Sequence, residues 1–371
     1  MTAIAIIGAG LAGLGLAHAL LEAGVSAQTL EIFESRQPGA GASGLPAALM
    51  HPTPGRSLEP KPGYWQAYQF SQHWLNKLQN TNDTPLYQAL SLLRPASTAQ
   101  TLQRFQRSQA RLSPELQQHI YPLSAQERAD YSLFYHLPEN NFMVQPAFQV
   151  WMPRLIQTLL HRLQRAGVKL RTEQVLELQP EEGGWRLETE VKRESFAQVI
   201  LAPGEELPQW FPLLPLERIR GEVLRLRSAA FSKLPAALSS GGYLMPLGGE
   251  EALAGPTFYP WHEKREQTWS IAEIKAPLQS YLPEIEQAEV MQIWSGVRTL
   301  VRHDREPLVG PVPGSQGLFV FSAFATKGLL QMPWLAQALA QILLHQDADF
   351  PQIFHSSRLK QELWQLQTPC R

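Results

Sequence analysis

Cysteine is almost missing from this 371-residue chain: the single one, Cys370, stands next to the C-terminus. No internal disulfide can form, so a disulfide-stapled secreted scaffold is excluded and a reducing, cytoplasmic compartment is expected. Excess charge of either sign is missing as well. Lys and Arg number 32 against 33 Asp and Glu, a formal net charge of −1, which provides no general attraction to nucleic acid or to anionic membranes. No window reaches the roughly 18 apolar residues of a membrane span. The apolar N-terminus lacks a basic leading region and contains His18 and Glu22, which argues against a signal peptide. Internal repeats and low-complexity tracts are absent. What remains is an ordinary globular composition, 44% hydrophobic, long enough for two domains or one interleaved pair.

The strongest pattern present is at the start. Ala3 to Ile7 is a short apolar run of strand type, followed at once by Gly8-Ala9-Gly10-Leu11-Ala12-Gly13. Strand, three glycines and helix in that order form a dinucleotide-binding fingerprint: a tight turn, a close backbone approach to a pyrophosphate, and close packing of helix on strand. The helix N-terminus offers free N–H groups and a positive dipole end to phosphates. A second apolar strand, Leu30 to Phe33, leads to Glu34, 21 residues after Gly13. There a carboxylate can accept hydrogen bonds from an adenosine ribose. Glu31 is the rival for that role, and Glu34 is preferred because it sits at the strand's carboxyl end.

Further along, Gly39 to Gly44 forms a second glycine-rich loop, and Tyr64 to Leu78 has the spacing of a one-faced helix. Helical patches are expected near Thr98 to Ala110 and Ala125 to Tyr131. Arg104, Arg107 and Arg111 recur there at helical spacing, read as a solvated face in preference to a phosphate-binding strip. Pro146 to Ala166 reads as one amphipathic helix stopped by Gly167, followed by strands around Val168 to Thr172, Val175 to Leu178, Trp185 to Thr189 and Val199 to Ala202. Alternation in Glu222 to Leu226, Tyr243 to Pro246 and Thr268 to Ile274 suits an antiparallel sheet. The strand Gly317 to Ser322 and a helix from about Leu329 to Leu344 then return to the opening style. The expected fold is α/β (α+β): a discontinuous Rossmann-like nucleotide domain (1–80, 141–206, 296–371) interleaved with an antiparallel-sheet substrate domain (81–140, 207–295).

Three later segments follow in order: Gly242-Tyr243-Leu244-Met245-Pro246, Gly296-Val297-Arg298 with Asp304 to Gly310 behind it, and Phe321 to Gly328 before the last helix. In this order they resemble the FAD-dependent D-amino-acid oxidase family, which includes glycine and sarcosine oxidases. With the N-terminal fingerprint, Gly41 to Gly44 and Ala202 to Gly204, the resemblance spans nearly the whole chain. The stretch from Leu92-Leu93-Arg94-Pro95 through Phe142 to Pro146 is most similar to the oxidoreductase half of bifunctional enzymes that mature 5-methylaminomethyl-2-thiouridine in tRNA.

The resemblance implies FAD, held by Gly8, Ala9, Gly10, Leu11, Ala12, Gly13, Glu34, Ser35 and Arg36 at its adenosine diphosphate end. Ala42, Ser43, Ala48, Leu49, Met50, Val175, Ala202, Gly204, Thr326, Lys327, Gly328 and Leu329 would complete the site. It also implies an amine substrate whose α-C–H is aimed at flavin N5, so that hydride transfer gives an imine that water hydrolyses; no side-chain base is needed, because the cofactor carries the redox step. Arg298 matches the family's carboxylate clamp, a task suited to the planar guanidinium fork, and Tyr243 the tyrosine that adds a hydrogen bond to the same carboxylate. The alternatives are a structural ion pair for Arg298 and an aromatic packed on the sheet for Tyr243. Lys327 matches a lysine of the sarcosine-oxidase branch that faces flavin N1 and C2=O, with an exposed loop lysine as its alternative. Family flavins can be attached through cysteine, but Cys370 lies outside every matching motif, so the FAD is expected to be non-covalent.

Two departures bear on substrate and acceptor. Leu45-Pro46-Ala47-Ala48 stands where relatives carry polar residues and a glycine, and Leu244 to Thr257 has no lysine of the kind that sarcosine oxidases use to activate dioxygen. His51 is either a pocket residue or a hydrogen-bonded structural histidine. The leading function is an FAD-dependent oxidoreductase that oxidises the C–N bond of a glycine-like amine. A second is oxidative removal of the carboxymethyl group from a tRNA wobble uridine, which the near-zero net charge disfavours. A third is a catalytically silent flavin-binding subunit, disfavoured by retention of Arg298 and Tyr243. No metal is expected.

Overall fold

The computed structural model describes residues 3–80 and 82–367, so Cys370 lies outside the described residues. The strand Ile4–Ile7 pairs in parallel with Leu30–Phe33 on one side and Gln198–Leu201 on the other. Lys169–Arg171 and Leu318–Ser322 extend this sheet in parallel, and Leu308–Pro311 closes one edge antiparallel. Both faces are covered, as a parallel sheet requires. Ile4 and Ile6 point into a core with Leu14, Leu16 and Leu20 of the helix Leu11–Glu22 and Leu335 and Leu339 of the helix Gly328–Leu343. Ala5 and Ile7 point the other way, toward Trp185, Leu187 and Phe196 of a three-stranded antiparallel sheet.

A second, ten-stranded sheet runs in the order Tyr259–Pro260, Leu216–Arg227, Glu251–Gly255, Gly242–Gly248, Ala237–Ser240, Tyr87–Pro95, Asn141–Val150 and Ala48–Met50, with Glu289–Val301 paired to Leu216–Arg227 and Ile120–Pro122 to Asn141–Val150. Its two faces again follow the period-2 alternation of strands. Leu93, Met143, Leu238 and Leu244 pack under the helix Gln267–Gln279, while Leu92, Phe142, Val144 and Met245 pack with Phe105 of the helix Ala99–Gln109. We propose the two-domain division as drawn from the sequence. Ala48–Met50 and Asn141–Val150, from the nucleotide segments, are hydrogen-bonded into the large sheet and stitch the two parts together.

Two elements differ from expectation. Pro146 to Val150 is not the start of the helix but the end of a strand, because Ala147, Phe148, Gln149 and Val150 pair with Leu90, Ala89, Gln88 and Tyr87; the helix is Met152–Ala166. Thr268 to Ile274 is helical. Its apparent alternation is overridden by burial of Ser270, Ile274 and Leu278, four residues apart, against the large sheet.

Candidate active site

A cavity of about 1130 Å³ runs between the parallel sheet and the large sheet. At one end the strand Ile4–Ile7 delivers Gly8 with φ +108°, a conformation open to glycine at no steric cost. A Cβ on Gly8 would overlap the Ala202 carbonyl oxygen, and one on Gly13 would overlap the Gly8 carbonyl oxygen, so the turn and the helix close on each other only without side chains. In the first helical turn the backbone N–H groups have no intrahelical acceptor; Leu11 N–H donates to Ser43 Oγ at 2.9 Å. Glu34 stands across from this helix end, its carboxylate accepting Ala9 N–H at 2.8 Å and Arg36 N–H at 3.0 Å. Glu31 is engaged elsewhere, by Lys169 at 2.8 Å and Arg171 at 2.6 Å, and does not line the cavity.

Of the residues singled out from the sequence, the structure brings together on this wall Gly8, Gly10, Leu11, Ala12, Glu34, Ser35, Arg36, Ala42, Ser43, Ala48, Leu49, Met50, Val175, Ala202, Gly204, Tyr243, Arg298, Thr326, Lys327, Gly328 and Leu329. Ala9 and Gly13 lie behind the wall and shape the turn. His51 lines the cavity. Burial, with Arg94 nearby, drives its pKa down to about 3, so its ring is neutral at ordinary pH.

Arg298 projects from the strand Glu289–Val301, opposite Ile219. Its guanidinium lies over the Phe258 ring, 4.6 Å from the centroid, and donates to the Thr257 carbonyl at 3.3 Å. No carboxylate among the described residues forms an ion pair with it. Burial lowers its pKa to about 10, and it remains a cation at neutral pH. Tyr243 is close enough for its hydroxyl to act electrostatically on Arg298; burial raises its pKa, and no described residue accepts or donates a hydrogen bond at that hydroxyl. A cation and a neutral hydroxyl with unused hydrogen-bonding capacity thus face the same cavity.

Lys327 is different from the free loop cation considered above. It stands at the N-cap of the helix Gly328–Leu343, 7% exposed, with Nζ 2.8 Å from Glu306 Oε2 and also donating to the Arg305 carbonyl. Glu306 is fully buried and also accepts from Lys61 at 2.7 Å, Tyr64 at 2.8 and 3.0 Å, and Gln331 at 3.2 Å. Burial alone would raise the Glu306 pKa, but Lys327 and the hydrogen bonds from Lys61 and Tyr64 hold it below the usual range. Burial lowers Lys327 to about 8 despite Glu306. Sequence reasoning missed this network. It also missed Phe258 and Trp294 on the cavity wall; an isolated aromatic in a strand or loop carries no signal that separates a cavity wall from core packing.

A glycine turn, an acidic strand end and a cation thus line one open cavity. The sequence profile of FAD dependent oxidoreductases matches residues 3–342, and the chain belongs to that family, the D-amino-acid oxidase family of flavoenzymes. It is 26% identical over 367 residues to the tRNA 5-methylaminomethyl-2-thiouridine biosynthesis bifunctional protein of Thiobacillus denitrificans, covering 92% of this chain and 56% of that protein. The chain therefore spans about half the length of the curated relatives it matches. Among solved structures it is similar to glycine oxidase from Geobacillus kaustophilus (TM-score 0.83, 21% identity, 96% of this chain and 99% of that one) and to iminodiacetate oxidase from Chelativorans (TM-score 0.81, 18% identity, 95% and 98%). These likenesses establish the fold. Among the described residues no helix is long and apolar enough to cross a membrane.

Proposed function

We propose that this FAD-dependent oxidoreductase oxidises the C–N bond of a glycine-like amine, and that its FAD is held without a covalent link. The observation that carries the substrate class is Arg298: a guanidinium facing the cavity, with one carbonyl partner at 3.3 Å and no carboxylate partner among the described residues. A substrate carboxylate supplies the missing anion, and the Tyr243 hydroxyl adds a further donor. The cradle formed by Gly8, Gly13 and Glu34 fits an adenosine diphosphate, since it leaves no room for a Cβ at the turn and places a hydrogen-bond acceptor opposite the helix end. When bound, the flavin supplies a two-electron acceptor. The residues of this chain bind and orient: Arg298 and Tyr243 fix the carboxylate, and Phe258 and Trp294 wall the site.

A second reading places the same amine on a modified tRNA uridine. It is supported by the likeness to the Thiobacillus denitrificans tRNA 5-methylaminomethyl-2-thiouridine biosynthesis protein, which covers 92% of this chain. The test is reduction of the bound flavin under anaerobic conditions with glycine, sarcosine, D-amino acids, proline and carboxymethylaminomethyl-modified tRNA. Bleaching by at least one carboxylate-bearing amine is expected, and bleaching by none would defeat the proposal. Acid precipitation should release the yellow colour into the supernatant; colour retained in the pellet would mean a covalent flavin.

A further inference from the structure

The helix Ala99–Gln109 and the loop before Pro60 enclose a second cleft, of about 380 Å³. Arg104, Arg107 and Arg111 line it together with the amides of Gln100 and Gln103, and Glu59 is its single carboxylate. Three guanidiniums against one carboxylate leave a local charge of +2 in a chain whose formal net charge is −1. Acids at i,i+4 spacing would neutralise such a row of guanidiniums. This helix, AQTLQRFQRSQ, contains no acid. Among the described residues no carboxylate pairs with Arg104 or Arg107, and the only partner of Arg111 is Glu59 at 3.5 Å, both side chains being exposed.

The cleft has a fixed floor. Ser57 Oγ lies 2.9 Å from Ser108 Oγ, which lies 2.9 Å from the Arg104 carbonyl oxygen. Phe105 anchors the helix from below by an edge-to-face contact with Phe142, ring centroids 5.4 Å apart. Ser57, Glu59 and Arg104 also line the main cavity, so the cleft adjoins that cavity and shares a wall with it.

We propose that this cleft binds a phosphate group carried by the substrate, distal to the carboxylate held by Arg298. This rests on the amine-oxidising reading above. A carboxylate is satisfied by one guanidinium fork, whereas a phosphomonoester offers three terminal oxygens and up to two charges, and a phosphodiester backbone offers one charge at every nucleotide. Several forks with flanking amide donors match either. The phosphate belongs either to a phosphomonoester on a small amine or to the phosphodiester backbone of a polynucleotide that carries the amine.

The test uses the flavin-loaded protein and the variant Arg107→Ala/Arg111→Ala, whose residues line only the cleft; alanine preserves helix propensity at position 107, and Arg111 lies beyond the helix end. In one arm, the concentration for half-maximal anaerobic flavin reduction is compared between N-ethylglycine and N-(2-phosphonooxyethyl)glycine. In the other, binding of a fluorescein-labelled single-stranded RNA is followed by anisotropy across a salt series. A monoester site predicts that the phosphate improves the wild type by about tenfold or more and that the variant loses this advantage with N-ethylglycine unchanged. A diester site predicts that the variant binds RNA about tenfold more weakly, with a salt slope shallower by roughly the two contacts removed. Either response supports the proposal and identifies the source. Equal behaviour of variant and wild type in both arms overturns it, even if N-ethylglycine is oxidised normally. A response to RNA with no flavin reduction by any amine would instead keep the cleft and defeat the amine-oxidising reading.

Discussion

Replacing Lys327 with Met removes one member of a buried charge network, and the structure sets the size of the effect. Glu306 is fully buried, and in the variant it keeps Lys61 at 2.7 Å, Tyr64 at 2.8 and 3.0 Å and Gln331 at 3.2 Å. Breaking a buried ion pair from one side costs about 3–5 kcal/mol. The three surviving partners put the expected loss at the low end, about 3 kcal/mol. Adding Glu306→Gln removes the orphaned charge, so the double variant should be more stable than the sum of the single effects, with a coupling of about 1–3 kcal/mol. Urea unfolding at pH 7 measures all four corners of the cycle. A pH series adds a second check. Glu306 has a depressed pKa, so its contribution is present above its unfolded pKa, near 4.5, and is lost as pH falls through the lower folded value. Wild type and Lys327→Met should therefore converge at acid pH. Single variants as stable as wild type, or strictly additive losses, would refute the network.

The same Lys327→Met substitution takes the local charge of Lys61, Glu306 and Lys327 from +1 to 0. The flavin potential, measured by dye equilibration, should fall by tens of millivolts, since roughly 30 mV corresponds to 1.4 kcal/mol for a two-electron couple. Because burial lowers Lys327 to about 8, the wild-type flavin spectrum should titrate near that pH, and the transition should vanish in the variant. Gly13→Ala forces a Cβ into the Gly8 carbonyl oxygen; we expect about 1–3 kcal/mol of lost stability by urea unfolding together with weaker FAD retention on gel filtration. Carboxylate affinity should be flat from pH 6 to about 9 and fall as the pH passes about 10, where Arg298 loses its proton; loss beginning near neutrality would point to another group.

The parts of the fold that were legible in the sequence are those governed by local rules. The strand Ile4–Ile7, the glycine turn and the helix Leu11–Glu22 follow from steric constraints within a dozen residues. Pro146 to Val150 was misread because its apolar spacing fits either period; the ladder with Tyr87–Pro95, some 60 residues away, decides it. Thr268 to Ile274 was misread for the same reason, with burial under the large sheet choosing the helix. At the site, the place of Arg298 on the cavity wall was legible from a motif. The Glu306 network was not, since Lys61, Tyr64, Glu306 and Lys327 are brought together from segments more than 200 residues apart.

Binding of methoxyacetate reports whether Arg298 holds the carboxylate of an amine substrate. Methoxyacetate has the shape of sarcosine but no amine to oxidise, so the perturbation of flavin absorbance gives a dissociation constant without turnover. Arg298→Met keeps the side-chain stem and removes the fork. With charge-assisted hydrogen bonds worth about 1.5–3 kcal/mol, affinity should weaken by roughly 10- to 150-fold while the variant still retains its flavin. A dissociation constant unchanged from wild type would mean that Arg298 does not hold the carboxylate.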